Sequence, residues 1–90
     1  MLSGGHRVKI IVGQHINGSD KRPRLWRVPE PLMTVPVIEY ETRALVDTQK
    51  GYQRVKILKI METDEEKILD KKTDSYISIQ KMKDVLKFYQ

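Results

Sequence analysis

The sequence predicts an α+β domain that is mostly β: a small curled antiparallel sheet forming a partly open barrel, with one C-terminal helix. Three observations predict it. Apolar and charged residues alternate over long stretches, the period-two signature of half-buried strands. The longest stretch changes phase midway, as a strand does at the corner of a curled sheet. Only near the C-terminus do apolar residues recur at helical spacing.

Each element has its own signal. Ser3-Gly4-Gly5 reads as the core of a flexible lead-in over residues 1–5. His6, Val8, Ile10 and Val12 share one strand face with Arg7 and Lys9 opposite, and Gly13 is expected to end that strand. Residues 13–24 are polar and contain Asn17-Gly18 and Pro23, the composition of a long basic loop. Leu25–Val28 is a short strand, and Pro29 and Pro31 confine the next segment to an edge or an extended crossing. A second strand is expected over Val35–Thr42, with Ile38 and Tyr40 facing inward, Glu39 and Glu41 outward, and Pro36 near its start.

Gln49-Lys50-Gly51 marks a turn into the strand Tyr52–Met61. There Val55 and Ile57 alternate with Arg54 and Lys56, but Leu58 and Ile60 take the opposite parity, which places a bulge near 57–58. Thr63-Asp64-Glu65-Glu66 matches a capping box, with Lys71-Lys72 closing a short helix. The other reading is a hairpin pairing Lys67–Leu69 with Tyr76–Ile79 across Asp70–Asp74. Finally, Ser78 as N-cap and Ile79, Met82, Val85, Leu86 and Tyr89 predict an amphipathic helix over 78–89.

Ninety residues make a single domain, 1–90, with a small core. The absence of cysteine excludes disulfide and thiolate chemistry and suits the cytoplasm. No apolar run approaches a membrane span, so no membrane partner is expected. The net charge of +5 is uneven. Residues 1–30 carry six Lys/Arg against two Asp/Glu, residues 31–60 five against three, and residues 61–90 six against seven. A positive field in the first two thirds favours an acidic partner, nucleic acid or an acidic protein surface.

Catalytic and cofactor patterns are incomplete. Val8–Val12 before Gly13–Ser19 resembles a strand entering a phosphate loop, yet Lys21 follows Ser19 where it should precede the hydroxyl residue. His6, His15 and Asp20 are the closest approach to metal-ligand spacing. Ser19, His15 and Asp20 are sequence neighbours, which rarely present triad geometry. A nuclease-type site would draw on Glu39, Glu41 and Asp47 with Lys56 or Lys59, or on His15, Arg24, Arg27 and Tyr40. No spacing supports either set, so no cofactor, metal or catalytic residue is assigned.

Binding chemistry is better represented. Lys21, Arg22, Arg24 and Arg27 surround the single tryptophan, Trp26. Such a cluster grips phosphates while an exposed indole stacks on a base. Arg54 and Lys56, with Lys59, extend the positive surface, and Tyr52 supplies a second stacking platform. The competing reading puts Trp26 at one end of the core beside Leu25 and Met33, and Tyr40 and Tyr76 within it. The expectation is a non-enzymatic nucleic-acid-binding module. The alternative is a protein-interaction or homodimer module using the basic loop, a strand edge or the C-terminal helix.

This organisation resembles SH3-like and OB-like barrels in general. The resemblance implies a binding role for RNA, DNA, peptides or proteins without choosing among them.

Overall fold

The computed structural model describes residues 7–64, 66–70 and 74–90. Among them, the alternating segments form β1 (Val8–His15), β2 (Arg24–Val28), β3 (Arg43–Thr48), β4 (Gly51–Thr63), β5 (Lys67–Asp70), β6 (Ser75–Ser78) and β7 (Val85–Tyr89). Five strands make an antiparallel sheet in the order β2-β1-β4-β3-β7, and β5 and β6 pair as a separate hairpin. The described residues contain no α-helix, only single 3-10 turns at Glu30–Leu32 and Ile79–Lys81. None of them forms a helix long and apolar enough to cross a membrane.

The long strand β4 is the spine, pairing with β1 on one side and β3 on the other. The β3–β4 turn relies on Gly51 at φ 98°, a left-handed conformation that side chains disfavour. Thr48 closes this turn, its hydroxyl donating to the Gly51 carbonyl and accepting from the Lys50 N–H. The phase slip in β4 is a bulge: Val12 faces Lys59 and Gly13 faces Ile57, leaving Leu58 without a cross-strand partner. One extra residue bends the strand and swaps which parity points inward. Val55 and Ile57 therefore join the core before the bulge and Ile60 after it, while Lys56 and Lys59 both point outward.

The bent sheet has a core on each face. The concave face buries Ile11, Trp26, Val28, Ala44, Val46, Val55, Ile57 and Val85, with Leu32, Met33 and Val37 packing over them from the β2–β3 connection. The other face buries Ile10 with Ile79 and Met82, covered by Ile68 and Ile77 of the hairpin. Each fully buried Ile or Val contributes about 1.5–3 kcal/mol of apolar burial. Among the described residues the hairpin covers one end of that second face, and the remainder, across β3, β4 and β7, carries the exposed residues Arg43, Tyr52, Arg54, Lys56 and Lys87.

Several expectations are corrected. The sheet does not close into a barrel. Its edges β2 and β7 approach only near one isolated parallel bridge, Arg27 to Asp84. The C-terminal helix over 78–89 is absent, and its i, i+3 spacing has two other origins. Ile79 and Met82 flank a 3-10 turn, which has three residues per turn. Val85 pairs with Val46 and Lys87 with Leu45, so Leu86 is an unpaired bulge residue, and both Val85 and Phe88 turn inward. A bulged strand thus shows helix-like spacing. Ile79 and Met82 are buried, which removes a helix-face dimer from the alternatives.

The strand expected over Val35–Thr42 is an irregular crossing ending in a turn, with Ile38 and Tyr40 exposed. The strand is instead β3, immediately after it. Gly13 lies inside β1, which runs on to His15, so the loop is shorter than 13–24. Of the two readings for 64–72, the hairpin is present, with Lys67 opposite Ser78 and Leu69 opposite Tyr76. Lys71 and Lys72, the lead-in 1–5 and His6 lie outside the described residues.

Candidate nucleic-acid interface

Trp26 lies on β2 opposite Ile11, and its indole is enclosed, with 4% of the residue exposed. Its Nε1–H donates to the Asp47 carbonyl at 3.0 Å, tying β2 to β3 across the concave core. The exposed stacking indole is therefore corrected: Trp26 belongs to the core beside Met33, while Leu25 packs into the second cluster. Gly13 makes that position available. A Cβ there would sit 3.0 Å from both Trp26 Cζ3 and Val55 Cγ2.

The loop cations are largely engaged by their own loop. Lys21 Nζ donates to the carbonyls of His15 and Ile16, and Gln14 Nε2 donates to the Lys21 carbonyl. Arg22 and Arg24 both bind Asp20, at 3.1 and 2.8 Å. Hydrogen bonds from the Arg22 and then the Arg24 side chain hold the Asp20 carboxyl well below the usual carboxylate range. The same contact raises the Arg22 guanidinium's affinity for its proton. Arg27 is committed to Asp84, Nε to Oδ1 at 2.9 Å.

Tyr52, Arg54 and Lys56 are different. They alternate along β4 ahead of the bulge, so all three project from the open face, and all three are exposed. Register extends the face across the sheet. Arg43 lies opposite Lys56 and Tyr89, and Leu45 lies opposite Arg54 and Lys87. Beyond the bulge Lys59 joins them. Arg43, Arg54, Lys56, Lys59 and Lys87 form no ion pair among the described residues. Among the described residues of β3, β4 and β7, the acidic residue on this face is Asp47, half-buried opposite Tyr52. Asn17, Asp20 and Arg24 border the same broad depression as Tyr52 and Arg54, so the loop adjoins one end of the basic face.

Tyr40 stands at the other end. It is 62% exposed, against the expectation of a core position, and Tyr76 is likewise exposed. Its backbone is left-handed at φ 68°, a conformation costing a non-glycine residue about 1–2 kcal/mol. The turn is held on several sides. Thr42 Oγ1 accepts from the Ile38 N–H, the Tyr40 N–H donates to the Ile57 carbonyl at 2.7 Å, and Glu39 accepts from the Ile60 N–H. The Tyr40 ring lies under Lys56 Nζ, 5.3 Å from the ring centroid.

Three members of the other constellations have partners of their own. His15 packs its ring edge-on to Trp26 at 5.6 Å, and Asp20 faces the arginines. Glu39 is occupied by the β4 backbone. Among the described residues no three of His, Asp or Glu are grouped to hold a metal.

Sequence reasoning missed Arg43, Lys87 and Tyr40 as parts of this face. The alternation of Arg43, Leu45 and Asp47 with Ala44 and Val46 carried the signal for β3. No protein-family model matches the chain, and neither do the curated proteins or the solved structures compared with it.

Proposed function

We propose that this chain is a non-enzymatic nucleic-acid-binding module that holds phosphates on the open face of β3, β4 and β7. The reading rests on one observation: Arg43, Arg54, Lys56, Lys59 and Lys87 share that face without ion-pair partners among the described residues, beside exposed Tyr52. Cations with no carboxylate partner are free to neutralise phosphates, and each phosphate neutralised releases counterions condensed on the nucleic acid. The loop residues Arg22 and Arg24 extend the field, with Asp20 offsetting part of their charge. Lys21, Trp26 and Arg27 build the scaffold.

Anisotropy of a labelled oligonucleotide, titrated across a range of salt, tests this. Binding should weaken linearly in log–log form, and Arg54→Ala/Lys56→Ala should lower the slope by about 2. Arg27→Ala should leave the slope near that of the unaltered protein. No binding at low salt would end the reading. Self-association detected by sedimentation would then move the assignment to an edge strand, β2 or β7.

A further inference from the structure

Building on the nucleic-acid reading, we propose that the ligand is an unstacked single strand, with bases stacking on Tyr40 and Tyr52 and phosphates held by Arg54 and Lys56 between them. Both rings are open, at 62% and 69% exposure. They flank the cations from opposite ends. Tyr52 begins the outward row on β4, and Tyr40 lies against Lys56 at its end. Tyr52 and Lys56 are four residues apart in a strand, roughly 13 Å. Successive bases of one strand in a duplex are only about 3.4 Å apart. Platforms so widely separated hold bases that have left a continuous stack, and a duplex keeps its base faces inside. An extended single strand offers both bases and backbone to such a row.

The Tyr40 turn supports the assignment independently. Its φ of 68° suits glycine, yet a large aromatic occupies the position, fixed by the Ile57 carbonyl and by the Thr42 and Glu39 hydrogen bonds around it. A strained residue that its surroundings over-determine, and whose ring stays mostly exposed, is a candidate for contact with a ligand. Lys56 covers one face of the ring, so a base would stack on the opposite face with a phosphate-binding charge adjoining it.

The test compares labelled oligothymidylate, oligouridylate and a DNA duplex of equal length, with unaltered protein, Tyr40→Gly and Tyr52→Leu. Tyr40→Gly suits the left-handed backbone, and its folding is checked by circular dichroism and melting. Tyr52→Leu is a second, independent probe on an exposed strand position. The expected result is tighter binding of the single strands than of the duplex. Each variant should lose about tenfold in single-strand affinity while keeping the salt slope and its duplex affinity. Equal salt-dependent binding of duplex and single strand, or unchanged affinity in both variants, overturns the single-strand assignment and leaves the basic face standing. Binding of none of the probes overturns both.

Discussion

Arg27 donates from Nε to Asp84 Oδ1 at 2.9 Å, and the same two residues pair through their backbones in a parallel bridge between the edges of the sheet. Around them the Arg27 N–H donates to the Lys83 carbonyl and the Asp47 N–H to the Asp84 carbonyl. The side-chain pair thus pins the segment entering β7 against β2. It draws together the two edges of a sheet that is not closed.

Asp84→Ala should cost less than about 1 kcal/mol, since both side chains are partly exposed. Its clearer effect is local. Amide exchange at Arg27 and Asp47 should quicken while that of Ile11, in the sheet centre, stays unchanged. Unaltered exchange at both amides would show that the backbone bridge does not depend on the ion pair.

Gly13→Ala should destabilise the fold by about 1–3 kcal/mol, because the added methyl meets Trp26 and Val55 where the core is closed. Urea unfolding measures this. Combining it with Val55→Ala should recover part of the loss, since one of the two clashing groups is then gone. A purely additive double variant would place the strain elsewhere.

Trp26 emission should be blue-shifted, weakly quenched by iodide and unchanged by any polynucleotide, because the indole is enclosed and bonded to the Asp47 carbonyl. Trp26→Phe leaves that carbonyl without its donor and should cost about 1–3 kcal/mol. A red-shifted, freely quenched emission would place the indole at the surface and return it to the interface.

Asp20 should titrate below the ordinary carboxylate range at low salt, most simply seen through its side-chain carbon resonance. A depressed folded-state pKa means that the pairing is fully present above the unfolded value. It is lost as pH falls through the folded one. Arg22→Ala should raise the midpoint more than Arg24→Ala, because the Arg22 hydrogen bond is the larger cause. Added salt should move the unaltered protein the same way, since the group is exposed. An Asp20 midpoint in the ordinary range would mean that the loop is not clamped.

Much of the fold was legible in local patterns. The alternation in Val8–Val12 and Tyr52–Met61 marks β1 and β4, and the parity change beyond Ile57 is the bulge at Leu58. These signals survive because each strand alternates between faces whatever its partners are. The C-terminal residues misled because bulges and 3-10 turns imitate helical spacing over a few positions. Val35–Thr42 misled because its alternation belongs to a crossing whose apolar members, Ile38 and Tyr40, are not covered.

For the candidate site the division is similar. By itself the sequence determined that cations and aromatics were concentrated in two segments, 21–27 and 52–59, and that the positive charge lies in the first two thirds of the chain. Only the tertiary structure decided which segment is open. Trp26 fills the concave core, Asp20 and Asp84 neutralise the arginines around it, and register brings Arg43 and Lys87 beside Arg54 and Lys56. The physical reason is that composition sets how much charge a chain carries. Whether a given charge meets a carboxylate or solvent depends on contacts between residues far apart in sequence.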